Sequence, residues 1–244
     1  MTFTNWRGIV GFIKPSMSAG PFEEMVRLLP DGVGAIQAFM DLPEVRGPDR
    51  LEAAHRQLDA KMAELAAAGV DIVFPEGSAV YMMNGVKGER DLIRTWERKH
   101  KTAISPTGLT FVNAMKAMKF RKIVGLRPFT WVNGADFTGK YFESAGFDVL
   151  TIASPAGFDR HTIEKITPHD VYKTAKKAFL DHPGADGICI LASIMSSTDI
   201  IQTLEDDLGV PVVTATTSRC WQAQKHLRVR QPREGYGRLL RELP

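Results

Sequence analysis

The sequence predicts an α/β fold of two pseudo-symmetric halves, each a mostly parallel sheet flanked by helices, with a cleft between them. Three observations predict it: strand-like runs that alternate with helix-period segments, an internal repeat at a nearly constant offset, and polar residues at matching strand ends of the two halves. At 244 residues the chain can bury a sizeable core, or form two small lobes that share one cleft.

The strands are β-branched runs bounded by turn residues: GIVGFI (8–13), GAIQAF (34–39), VDIVF (70–74), KIVGL (122–126), FDVLTI (147–152), GICIL (187–191) and VPVVTA (210–215). Near-continuous apolar runs of this kind suit parallel strands covered on both faces. A helix from about Arg50 to Ala68 carries Leu51, Ala54, Leu58, Met62 and Leu65 at spacings of three and four, and Gly69 supplies its left-handed stop. A second, from Ser197 to Leu208, sets Ile200, Ile201, Leu204 and Leu208 on one stripe and ends at Gly209. Each leads within a few residues into a strand, so both read as right-handed crossovers.

Laid against itself, the chain repeats. Arg7-Gly-Ile-Val-Gly-Phe-Ile-Lys14-Pro15 matches Arg121-Lys-Ile-Val-Gly-Leu-Arg127-Pro128 at an offset of 114 (7 to 121). Gly69-Val-Asp-Ile-Val-Phe-Pro-Glu-Gly77-Ser78 matches Gly184-Ala-Asp-Gly-Ile-Cys-Ile-Leu-Ala192-Ser193 at 115 (69 to 184). A weaker match sets Ala103-Ile-Ser-Pro-Thr107 against Val212-Val-Thr-Ala-Thr216, where a shorter preceding loop slips the offset to 109 (103 to 212). The halves are expected at 1–115 together with 216–244, and at 116–215. Each offers a cation followed by proline, a small residue followed by serine, and a Ser/Thr cluster at the carboxyl ends of its strands, where open parallel sheets bind ligands.

Composition narrows the partners. With 44% hydrophobic and 24% charged residues the whole chain should fold. The net charge of +3 is dispersed apart from modest groupings at Arg94–Lys101 and Lys225–Arg233, so no nucleic-acid partner is expected. No run is long and apolar enough for a membrane span, and the N-terminus lacks a signal-peptide core, so a cytoplasmic protein is expected. Cys189 and Cys220 have no metal-ligand spacing, the six histidines form no HxH or HExxH cluster, and no G-x-G-x-x-G or P-loop follows a strand; no metal or cofactor is expected.

Lys14 and Arg127, at equivalent ends of the first strand of each half, either receive substrate carboxylates or are solvated strand-end charges. Ser78 and Ser193 follow the small residues Gly77 and Ala192 at strand-to-helix junctions; each either helps cradle an oxyanion or caps its own helix. Thr107, Thr214, Thr216 and Thr217 are analogous strand-end residues, and Thr216 is included among the binding candidates. Glu76 is the carboxylate at a strand terminus beside the cleft, either a general acid or base or an acceptor for turn amides.

These features resemble the aspartate/glutamate racemase superfamily, and within it the arylmalonate decarboxylase and maleate cis-trans isomerase branch. The resemblance runs over nearly the whole chain and includes Gly11 to Pro15, GADGICILASIMSSTDIIQTLEDDLGVPVV (184–213) and the tail Gly235-Tyr236-Gly237-Arg238-Leu239. It implies a site that stabilises a carbanion or enediolate beside a carboxylate, usually with facing cysteine thiolates. Those positions align with Gly77 and Ala192, and the family's carboxylate-holding tyrosine aligns with Phe129, so none of the three keeps the family group. A cradle of Ser78, Ser193 and Pro15 backbone contacts is what the resemblance leaves.

The expectation is a cofactor-independent lyase or isomerase, decarboxylase-like, acting on a small carboxylate with Glu76 in place of the thiols. The alternatives are a hydrolase or ring-opening enzyme in which Glu76 activates water, and a catalytically inactive small-acid-binding protein. Homo-oligomerisation is left open.

Overall fold

A computed structural model of the protein describes residues 5–15, 21–40, 48–77, 81–128, 137–158, 162–191 and 193–244. The first half contains β1 (Gly8–Lys14), α1 (Pro21–Leu28), β2 (Val33–Phe39), α2 (Pro48–Ala67), β3 (Ile72–Pro75), α3 (Gly85–His100), β4 (Ala103–Ile104) and α4 (Thr107–Ala117). The second contains β5 (Lys122–Leu126), α5 (Phe137–Ser144), β6 (Asp148–Ala153), α6 (Pro168–Leu180), β7 (Gly187–Ile190), α7 (Ile201–Leu208) and β8 (Val212–Thr214). Two further helices, α8 (Ala215–Leu227) and α9 (Arg238–Glu242), follow.

The repeat read from sequence is a repeat of topology. The first sheet has strand order β2-β1-β3-β4 and the second β6-β5-β7-β8, the same winding shifted by four strands, and every pairing is parallel. The eighth strand, β4, was legible only through the weak third match: it pairs β3 at Ile72↔Ala103 as β8 pairs β7 at Ile188↔Val212.

Strand alternation divides the apolar residues among three cores. Val10 and Phe12 of β1, and Ile72 and Phe74 of β3, face a central core that also takes Ile123, Cys189, Leu191 and Val213 of the second half, with Phe111 and Met115 of α4 and Trp221 of α8. Ile13, Val73 and Ile104 face the other way, onto Leu58, Met62 and Leu65 of α2 and Trp96 of α3. In the second half Val124, Leu126, Ile188 and Ile190 pack on Val171, Ala175, Ile201 and Leu204. The central core therefore lies between the sheets, and any side chain that continues its faces beyond the strand ends enters the region between the halves.

The helix ends follow the expected chemistry. Gly69 stands at φ 77° after α2 and Gly209 at φ 73° after α7, both left-handed stops. The stripe of α2 is buried at Ala54, Leu58, Met62 and Leu65. The expected helix from Ser197 is instead a 3-10 turn over Thr198–Ile200 that passes into α7 at Ile201. The tail docks through a buried carboxylate: Glu205 accepts from the backbone N–H of Val212 at 2.8 Å and of Arg238 at 2.9 Å. Gly237, at φ 82°, allows that approach, because a Cβ there would lie 2.8 Å from Glu205 Oε1. Among the described residues no helix is long and apolar enough to cross a membrane.

Candidate active site

The site begins with strand register. Phe12 pairs Phe74 and Ile13 pairs Pro75, and the Glu76 N–H continues the ladder by donating to the Ile13 carbonyl at 2.8 Å. Side chains two residues on keep the same face, so Lys14 and Glu76 stand side by side above the stacked rings of Phe12 and Phe74, whose centroids are 5.6 Å apart. Both are buried, at 3% and 7% exposure. Gly77 follows at φ 106°, a conformation that favours glycine and turns the chain out of the strand.

Glu76 is held from two directions. Ser193 of the second half donates from Oγ to Oε2 at 3.1 Å, and Arg219 of α8 donates from Nη1 to Oε1 at 3.1 Å. Arg219, 3% exposed, also donates from Nη2 to Thr107 Oγ1 at 3.2 Å, and Tyr81 donates its hydroxyl to the Glu76 carbonyl at 3.3 Å. Lys14 feels the group as a whole. Burial lowers its ammonium below the ordinary lysine range, the Glu76 carboxylate opposes that shift, and the Arg219 guanidinium adds to it.

Of the residues predicted from sequence, Lys14, Glu76 and Ser193 come together, with half-buried Pro15 next to Lys14. Arg127 continues β5, its N–H donating to the Ala153 carbonyl at 2.9 Å, and alternation sets it on the face of Ile123 that meets the central core. Thr216 is turned elsewhere: its hydroxyl donates to Glu24 of α1 at 3.3 Å, in a cluster where Arg27 reaches Thr198 and Asp199. Ser78, Phe129 and Ala192 lie outside the described residues.

Sequence reasoning missed Arg219 as a site residue. The signal was its place on α8, four residues after Ala215 and four before Ala223, all three buried: a charge on an apolar stripe. It also missed the layer behind Thr107. Tyr141 of α5 donates its hydroxyl to Glu89 of α3, which lies against the amides of Gly108 and Leu109 at the start of α4. Gly108 has no room for a side chain, since a Cβ would come within 2.7 Å of Tyr141 Oη and 2.9 Å of Glu89 Oε2. Burial raises the Glu89 carboxyl to about 7, against the hydrogen bond from Tyr141 and the amides of Leu109 and Gly108.

That shift has a definite sign. The folded state holds the Glu89 proton more tightly than the unfolded chain, so this stability is complete below the ordinary carboxyl range and is lost as pH rises from about 4.5 to about 7. Glu89→Gln should remove a pH-dependent loss on the order of 3 kcal/mol, read as a flatter Tm-against-pH curve over that window. An unchanged curve would contradict the assignment.

The scaffold that builds this group is a known one. A family model for arylmalonate decarboxylase matches residues 32–240. The chain belongs to the arylmalonate decarboxylase family. A maleate isomerase of Nocardia farcinica is 23% identical over 244 residues, covering 96% of this chain and 95% of that protein. A solved structure of the Nocardia farcinica maleate cis-trans isomerase, a cysteine-to-serine mutant with a covalently bound succinylcysteine intermediate, superposes with a TM-score of 0.84 at 20% identity, covering 96% of this chain and 98% of that one. Unliganded arylmalonate decarboxylase gives 0.79 at 20% identity, with 96% and 99% covered. The family member described here thus shares their two-sheet fold.

Proposed function

We propose that this protein is a cofactor-independent decarboxylase or isomerase of small carboxylates in which a carboxylate, Glu76, replaces the family's thiols as the proton-transfer group. The relatives named as maleate isomerases and arylmalonate decarboxylase support an enzyme of this kind. The observation that carries the non-thiol reading is the Glu76 group itself: a buried carboxylate at a strand end, next to Gly77 and tied across the halves to Ser193, the neighbour of Ala192. Gly77 and Ala192 are the positions that the family resemblance assigns to thiols.

The chain's own cysteines support the same reading. Cys189 and Cys220 are fully buried, and burial raises both thiols, Cys189 to about 12. A thiol in that state supplies almost no thiolate near neutral pH. That favours a proton-transfer group other than a cysteine, unlike the succinylcysteine chemistry named for the Nocardia farcinica enzyme.

Lys14 and Arg219 bring two positive charges and Glu76 one negative, so the group carries one cation in excess. It suits a substrate carboxylate placed against Lys14. The electron pair released on the substrate carbon is delocalised into an adjacent unsaturated group, and the proton that quenches it passes through Glu76 and the Ser193 hydroxyl.

A panel of arylmalonates, maleate and β-oxo acids tests the reading, with the purified protein assayed before and after iodoacetamide. Consumption of one class, unchanged by alkylation, is expected. Inactivation with the label on a cysteine, or no consumption of any class, would overturn it.

A further inference from the structure

Lys14 is the single buried lysine among the described residues. It is not a solvated cation on an open rim. It sits on a strand end, directly beside a carboxylate whose two oxygens are already engaged by Ser193 and Arg219, with a second cation in the same group. A surface lysine would be an ammonium with no reason to react. Here the lysine is buried in one group with a guanidinium, and burial and that neighbour favour the neutral amine against the opposing Glu76 carboxylate. Arg127, at the equivalent end of β5, has no such option, because a guanidinium does not give up its proton. The pseudo-symmetric pair is chemically unequal: an amine that can lose its proton on one side and a guanidinium on the other.

Releasing carbon dioxide leaves an electron pair on carbon that needs an electron sink. An iminium formed on a lysine is one that protein side chains alone can supply.

We infer that Lys14 is a covalent catalytic residue and that the small carboxylates this site consumes include β-oxo acids, bound as an iminium on its Nζ. The inference rests on the decarboxylase reading above and adds the nucleophile and the substrate class. Lys14 passes one ammonium proton to Glu76; its Nζ then forms a C–N bond to the oxo carbon, and the carbonyl oxygen leaves as water, taking one proton from the amine and the one held by Glu76. The bond from the α-carbon to the carboxylate then breaks. Its electron pair becomes the C=C bond of an enamine while the iminium π electrons return to nitrogen, and carbon dioxide departs. A proton from solvent, passed through Glu76 and Ser193 to the α-carbon, regenerates the iminium, and water adds to it to release a ketone, the free amine and one proton, which Glu76 takes up. No oxidant or reductant is consumed.

The experiment is reductive trapping. The full-length protein is incubated with acetoacetate or oxaloacetate and borohydride, then mapped by peptide mass spectrometry. One adduct per chain is expected on the peptide that holds Lys14, with loss of activity in step with labelling. In water labelled with heavy oxygen the product ketone should carry solvent oxygen at the rate of turnover. Lys14→Arg, which keeps the charge but removes the nucleophile, should lose both the adduct and at least a hundredfold in turnover; Lys14→Met should do the same. Labels spread over the surface lysines, or β-oxo acid turnover that borohydride leaves intact and Lys14→Arg retains, would overturn the role of Lys14 while leaving the decarboxylase reading standing. Turnover of arylmalonates or maleate alone, with no trapping, would also overturn it. Failure to consume any carboxylate would instead remove both.

Discussion

Glu76→Gln should lower turnover of the consumed carboxylate by about a hundred- to ten-thousandfold, the usual contribution of a positioned acid or base. The substitution is close to isosteric, and its carbonyl oxygen can still accept from Arg219 or from Ser193. What it removes is the proton. The loss should therefore appear in kcat, with the chain folded and KM little changed. If Glu76 only oriented Arg219 or Lys14, the glutamine variant would instead raise KM and leave kcat near the wild-type value, which would contradict the role proposed here. Glu76→Asp is the companion: it restores a titratable group, but one methylene too short to meet both Ser193 and Arg219. Partial recovery relative to glutamine is expected in the same kinetic series.

Much of this group is legible in the sequence, and the reason is periodicity. The apolar runs of β1, β3, β5 and β7 and the glycine stops at Gly69 and Gly209 are local signals, and the repeat turned them into a topology. It also brought out Lys14 and Ser193, and Glu76 stands out as the carboxylate at a strand terminus, because polar residues at the carboxyl ends of parallel strands stand next to whatever the sheets enclose. What was not legible depends on contacts between distant segments. Glu89 and Tyr141 are 52 positions apart, and nothing near either residue announces the pair. Arg219 reads locally as one more charge on a helix that also carries Gln222, Lys225 and His226; its burial follows from how α8 packs on the central core. Thr216 shows the converse. Its place in the repeat is right, but its hydroxyl turns to Glu24, because α1 brings a buried carboxylate to the start of α8 and the second half has no counterpart to the Glu76 side chain there.

Arg219→Met should destabilise the fold by about 3–5 kcal/mol, the cost of leaving one member of a buried ion pair without its partner. Glu76 would keep Ser193 but lose the guanidinium at Oε1, and Thr107 Oγ1 would lose the donor at 3.2 Å. Urea unfolding measures this as a lower midpoint with an unchanged slope. The double variant with Glu76→Gln should recover a large part of the loss, since removing both charges removes the uncompensated one as well. A single variant with wild-type stability would mean that water reaches the pair and screens it. The same substitution has a second consequence that stability alone does not carry. Arg219 is one of the causes that lower the Lys14 ammonium, and Glu76 is the one that raises it. Without the guanidinium, Lys14 holds its proton to higher pH, so borohydride trapping in Arg219→Met should need more alkaline conditions than in the wild type. The ion pair then has two separable effects: with Glu76 it stabilises the strand ends, and with Lys14 it sets the pH at which the amine becomes a nucleophile.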